Sequence, residues 1–158
     1  MGALAELAGL EAIAPGEQLL LDTSALIAYL KGDETASPAA TTILDGMVLT
    51  GRNPAIVSAI SVSELLVRPI TAGTRAAATV RTFLVGFPGI SIRSCDFLVA
   101  AEAAHIRAKT PATTPDALIA ATATLTSCPW LVTNDRTLRD HLRDLDWQTR
   151  VLLLSDVH

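Results

Sequence analysis

Four carboxylates stand where a carboxylate can do chemistry. Asp22 closes the apolar run Leu19-Leu20-Leu21, and Asp135 follows Trp130-Leu131-Val132-Thr133-Asn134. Glu64 lies just past an apolar segment at 55–60, and Asp116 opens a helical stretch behind the proline-containing segment 110–115. Each acid has a local reading. Asp22 and Asp135 can cap the helices that follow them. Glu64 can close a capping box with Ser61, and Asp116 suits the positive end of a helix. Capping, however, does not require the four to converge. Acids gathered at one point repel one another unless a cation binds among them. Oxygen ligands with no nearby histidine or cysteine select a hard ion, Mg²⁺ or Mn²⁺. Ser24, Thr133 and Asn134 are placed to orient the carboxylates by hydrogen bonds.

Convergence needs a parallel sheet. Short apolar runs at 19–21, 55–60, 89–92, 130–133 and 151–154 read as strands. Helical stretches separate them, at 23–31, 36–49, 61–67, 71–85, 96–109, 116–126 and 136–143, with Pro69 ending or kinking the third. Short strands alternating with helices imply an α/β fold, a three-layer α/β/α sandwich with a central, mainly parallel sheet. In such a sheet the strand ends bearing Asp22 and Asp135 face one edge. The helix starts bearing Glu64 and Asp116 lie there too, and open α/β folds bind ligands at that edge. Residues 1–18 read as an N-terminal extension, with Leu4, Leu7 and Leu10 spaced for a short helix that Pro15-Gly16 ends. Residues 19–158 read as one domain.

Half of the 158 residues are apolar and the mean hydropathy is +0.42. No apolar run reaches the roughly 18 residues that read as a membrane span. The surplus is expected in a large core and on a face that a partner chain covers. A net charge of −4 and a pI of about 5.2 exclude a general nucleic-acid coat protein, whose footprint is basic. They leave room for an enzyme whose acids hold metal ions. Cys95 and Cys128 show neither redox nor metal spacing and read as buried apolar fillers in a reduced, cytoplasmic chain. No signal peptide is expected, because the N-terminus lacks a basic segment. Arg107 and Lys109, ahead of the Asp116 loop, and Arg136, at a helix start, are candidates to hold phosphates. Arg139 and Arg143 read instead as a solvated face with local acidic partners. His105, His141 and His158 are not expected to be ligands.

The motifs carry a resemblance. Leu21-Asp22-Thr23-Ser24-Ala25-Leu26-Ile27-Ala28-Tyr29 comes first, then Ser61-Val62-Ser63-Glu64-Leu65. Thr114-Pro115-Asp116-Ala117-Leu118-Ile119-Ala120-Ala121-Thr122-Ala123 and Leu131-Val132-Thr133-Asn134-Asp135-Arg136 follow. Together, and in this order, they resemble PIN-domain ribonucleases, and more narrowly the VapC toxins of VapBC toxin–antitoxin pairs. Any one motif is weak; four in order are specific, and the likeness runs from about Leu19 to the C-terminus. The chain departs from the family pattern in its residues 1–18 and in the Thr/Pro-rich segment before Asp116.

The resemblance implies an endoribonuclease that uses Mg²⁺ or Mn²⁺ to hydrolyse RNA phosphodiesters. It assigns the acids to Asp22, Glu64, Asp116 and Asp135, a polar helper to Thr23 or Ser24, and a polar pair to Thr133 and Asn134. It also implies a homodimer and a VapB-type antitoxin whose C-terminal segment crosses the first helices. An arginine of that antitoxin would enter the acid site. Two other readings share these motifs: a housekeeping PIN-type nuclease without an antitoxin, and a catalytically inactive RNA- or protein-binding PIN module. A phosphatase of the haloacid-dehalogenase type would need a second acid two residues after Asp22, where this chain has Ser24.

Overall fold

Leu19–Leu21 forms β1, with all three side chains out of water. A strand this apolar must be covered on both faces. The structure, a computed structural model, describes residues 9–158. β1 is the middle of a five-stranded sheet in the order β3-β2-β1-β4-β5. The other strands are β2 (Ala55–Ser58), β3 (Ile90–Arg93), β4 (Trp130–Thr133) and β5 (Arg150–Leu153). Every pairing is parallel, with Leu20 set beside Ile56 on one flank and Leu131 on the other. Among the described residues seven α-helices accompany the sheet: α1 (Thr23–Lys31), α2 (Ser37–Thr41), α3 (Ala59–Ala72), α4 (Thr74–Gly86), α5 (Phe97–Lys109), α6 (Thr114–Leu125) and α7 (Arg136–His141).

The period of two along the strands builds the layers. Leu19, Leu21, Val57 and Val132 turn to one face and pack with Leu26, Ile43 and Met47. Leu20, Ile56 and Leu131 turn to the other and pack with Ile106, Ile119 and Leu138 from α5, α6 and α7. Burying each such leucine contributes about 1.5–3 kcal/mol. The three-layer α/β/α expectation is met. β2 and β3 lie on one side of β1, and β4 and β5 on the other. The crevice at the carboxyl ends of β1 and β4 is therefore a topological switch point, where α/β sheets bind ligands.

The structure revises several boundaries. The helix expected at 36–49 is α2 followed by a π-helical segment, Thr42–Val48. β2 stops at Ser58, whose side chain caps α3 by accepting from the Ile60 amide at 3.3 Å. Ser61 thus lies inside α3, fully buried, and forms no capping box with Glu64. Pro69 does not end α3, which runs on to Ala72 and stops at Gly73. So close to the helix end, its missing N–H costs one backbone bond. Cys95 is exposed, not buried; Cys128 is buried.

The short helix expected over Leu4, Leu7 and Leu10 falls mostly outside the described residues; within them, Leu10–Ala12 is a 3-10 turn. Leu10 and Ile13 are buried in the core. The fully buried Asn53 holds the segment after them, donating to the Ala14 and Glu17 carbonyls at 2.8 and 2.9 Å. Among the described residues no helix is long and apolar enough to cross a membrane.

Candidate active site

Asp22 is the first residue past β1 and sits at the N-cap position of α1, yet its side chain makes no cap bond. Its Oδ2 instead accepts the hydroxyl of Thr133 at 2.8 Å and that of Ser24 at 2.9 Å. Each hydroxyl has one proton, and both go to the same carboxylate oxygen. Their lone pairs are met from behind: the Asn134 amide donates to Ser24 Oγ at 2.8 Å and the Asp135 amide to Thr133 Oγ1 at 3.0 Å. β1 and β4 are adjacent, so the start of α1 and the exit of β4 interlock through this network. Asp22 Oδ1 takes no part in it.

The other acids come from three helices. Asp135 caps α7, its Oδ1 accepting from the Thr137 and Leu138 amides at 2.9 and 3.2 Å. Both cap bonds fall on Oδ1, so Oδ2 remains outside the cap. Glu64, on α3, accepts the Thr23 hydroxyl on Oε1 at 2.9 Å. Asp116 is the third residue of α6, and Thr113 caps that helix through the Asp116 amide at 3.5 Å. The cap aims the first turn of α6, and with it Asp116, at the crevice.

Electrostatics tie the four together. Burial pushes the Asp22 carboxyl above its usual range despite the Thr133 and Ser24 hydroxyls, and the Asp135 charge adds to the shift. Glu64 is raised by partial burial of its carboxyl and then by the charges of Asp22 and Asp116. Asp116 is raised by burial and by Asp22 and Asp135, with the Thr113 hydrogen bond and then His141 opposing. Acids raised in this way by burial and by neighbouring charges are each easier to ionise once a cation is among them.

The donor set fits a hard divalent ion: carboxylate oxygens, a crevice, and the Asn134 Oδ1, which is buried without a hydrogen-bond partner. An orphaned acceptor beside a cluster of acids calls for a donor such as a water held by an ion. The side chains are not drawn up into a ready cage, since no three among the described residues stand close enough together to hold an ion. Thr23, Ser24, Thr133 and Asn134 all border the acids.

The expected phosphate contacts are scattered. Arg107 and Lys109 are exposed at the end of α5. Arg136 is engaged at the opposite end of the chain, donating to Ser155 Oγ at 3.2 Å and pairing with Asp156 at 4.0 Å. Arg68, which sequence reasoning passed over, lines a groove together with Thr23 and Glu64. Its i,i+4 spacing from Glu64 is the signal that finds it.

A family model described as the PIN domain matches residues 19–142. The chain belongs to the PIN-domain family. No curated protein matches the sequence. Among solved structures, this PIN domain is similar to the toxin–antitoxin complex from Klebsiella pneumoniae, at 20% identity and a TM-score of 0.65 over 86% of this chain and 97% of that one. It is similar to DNA-bound VapBC from Salmonella typhimurium, at 20% identity and a TM-score of 0.66 over 87% of this chain and 98% of that one. It is also similar to VapC20 from Mycobacterium tuberculosis, a sarcin–ricin loop cleaving toxin, at 13% identity and a TM-score of 0.64 over 77% of this chain and 93% of that one. These likenesses agree with the sheet order and layers described above.

Proposed function

We propose that this PIN domain is the toxin of a type II toxin–antitoxin pair, a divalent-metal-dependent endoribonuclease acting in the cytoplasm. The observation that carries the reading is the Asp22 carboxylate, fixed by two hydroxyls at the switch point and within the field of Asp135. The solved structures it resembles support the toxin assignment: one is a toxin–antitoxin complex, one is VapBC bound to DNA, and one is a sarcin–ricin loop cleaving toxin.

Asp22, Asp116, Asp135 and Glu64 would hold Mg²⁺ or Mn²⁺, and Thr133, Ser24 and Thr23 would keep their free oxygens pointed into the crevice. A bound divalent ion supplies Lewis acidity for hydrolysis of a phosphodiester. Arg107, Lys109 and Arg136 are further proposed contacts to RNA.

The proposed partner is a VapB-type antitoxin, and its proposed seat is the groove of about 780 Å³ bordered by α1, α3 and α4. Ile27, Leu30, Leu65 and Val80 give it apolar walls, and it opens on Thr23 and Glu64. A chain lying there meets the acids, and a basic side chain on it would pair with them. A homodimer is proposed for the toxin itself.

The test is a calorimetric titration of Mn²⁺ and Mg²⁺ into antitoxin-free wild type and Asp116→Asn, with cleavage of total RNA followed in parallel. Saturable metal binding and cleavage at specific sites, both weakened in the variant, are expected. Absence of metal binding in the wild type overturns the reading.

A further inference from the structure

Four acids in one crevice repel a phosphodiester, so an RNA strand entering it needs a cation close by. Several cations are engaged, among them Lys31, which lines the groove beside Glu64. Lys31 pairs with Glu34 at 3.6 Å, and Arg139 and Arg143 bond Asp140 at 3.0 and 2.9 Å. Arg136 is held by Ser155 and Asp156. Arg68 is not. It stands on α3 one turn beyond Glu64, an i,i+4 pair whose Cβ atoms are about 5–6 Å apart. Both residues line the same groove, and so does Glu34. Yet Arg68 makes no ion pair or side-chain hydrogen bond among the described residues, and its side chain is exposed. The influences on the Glu64 carboxyl are burial, Thr23, Asp22 and Asp116; Arg68 is not among them. The guanidinium is therefore an available anion-binding group at the mouth of an acid site.

We propose that Arg68 grips a phosphate of the RNA strand next to the phosphodiester held over Asp22 and Glu64, and so sets the path of the strand along the groove. The guanidinium fork matches two phosphate oxygens at once. A carboxylate of a partner chain has a similar shape. RNA is favoured because the strand brings only negative charge, and the phosphate next to the one over the acids still needs a cation of its own at this place. A polypeptide can bring its own. The inference rests on the nuclease reading above and adds a residue to it.

The test measures binding of a labelled single-stranded RNA of mixed sequence by anisotropy, in Mg²⁺, on the Asp116→Asn background that keeps the strand intact. Arg68→Gln and Arg68→Lys are compared with Arg75→Gln, an exposed arginine on α4 outside the groove. Arg68→Gln is expected to weaken binding several-fold and to make the plot of log K against log salt shallower by about 0.7. Arg68→Lys should recover the salt slope and part of the affinity, because a lysine keeps the charge but not the fork. Arg75→Gln should change neither, and circular dichroism should show all variants folded.

An unchanged affinity and slope in Arg68→Gln, with the parent protein binding RNA, overturns the assignment and leaves the nuclease reading standing. Loss of binding to a co-purified partner protein with RNA binding intact overturns it in favour of a partner carboxylate. A wild type that neither binds metal nor cleaves RNA overturns both readings.

Discussion

Thr133 reaches from the end of β4 to Asp22 at the end of β1, its hydroxyl 2.8 Å from Oδ2 across 111 positions of sequence. The same hydroxyl oxygen accepts the Asp135 amide at 3.0 Å. One side chain therefore positions the first acid and the backbone of the fourth. Thr133→Val keeps the shape and removes both bonds. It leaves the Asp135 amide without its acceptor and Asp22 with Ser24 as its one hydroxyl donor. We expect a stability loss of about 1–3 kcal/mol by urea denaturation, the cost of unpaired buried polar groups. Metal affinity should fall by about 10–100-fold, as when the support of a ligand is lost. Unaltered affinity for Mn²⁺ by calorimetry would show that Thr133 has no part in holding the acid.

The acids make metal-free stability depend on pH. Asp22, Asp116 and Glu64 titrate above their ordinary values of 3.8, 3.8 and 4.5 in the folded chain. A carboxyl raised on folding stabilises the fold while protonated. That contribution is complete below the ordinary value and is lost as pH rises through the folded one. In EDTA these three acids should therefore raise the urea midpoint as the pH falls from neutral toward the ordinary carboxylate range. Glu17 and Asp140 act oppositely. Trp130 and Arg139 respectively hold them below 4.5 and 3.8, so their contribution is lost only at lower pH. Asp22→Asn keeps the acceptor for Thr133 and Ser24 and should flatten the rise. A midpoint that falls over this range would contradict the arrangement.

How much of this was readable in the sequence depended on whether the signal was local. The strands were, because Leu19-Leu20-Leu21 and Trp130-Leu131-Val132 are apolar on both faces and end in polar residues. Asp22 and Asp135 were readable for the same reason: a strand that ends in an acid puts it at the sheet edge. Ser61 misled because Ser-x-x-Glu is the capping pattern, but Ser58 caps α3 three residues earlier. Only the end of sheet pairing at Ser58 beside Arg93 decides between them. The π-helical segment left no trace, since its apolar spacing over Ile43, Leu44, Met47 and Val48 also suits an α-helix. Arg68 offered only its i,i+4 spacing from Glu64, because the groove it lines takes its other walls from α1 and α4.

Tyr29 is the one tyrosine in the chain, so its ionisation can be followed by absorbance alone. It stacks on Phe83 with ring centres 5.6 Å apart and donates its hydroxyl to Asp45 Oδ1 at 2.8 Å, tying α1 to the π-helical segment. Burial first, then the bond to Asp45 and its charge, push the phenol up to about 12. This contribution to stability is complete below the ordinary value of 10.0 and disappears as pH rises through the folded value. Tyrosinate absorbance should appear well above the ordinary range in the wild type. In Asp45→Asn it should move back toward that range. An ordinary titration in the wild type would mean that α1 and the π-helical segment are not joined through this bond.

Gly89 leads into β3 with φ of +88°, and its amide neighbourhood is crowded by the end of the π-helical segment. A Cβ built there would lie 2.8 Å from the Val48 carbonyl oxygen and 3.1 Å from Val48 Cγ1. The carbonyl cannot give way easily, because it accepts the Gly51 amide at 3.0 Å. Gly89 is itself anchored, its carbonyl accepting the Ala55 amide at 2.9 Å at the start of β2. Gly89→Ala thus meets a backbone conformation that L residues avoid and a contact with backbone atoms. We expect a loss of at least about 1 kcal/mol by chemical denaturation, since the entropic gain of alanine in the unfolded chain is outweighed. The acids lie at the other end of the strands, so Mn²⁺ affinity per folded molecule should be unchanged. A variant as stable as the wild type would show that β3 does not need this close approach to seat against β2.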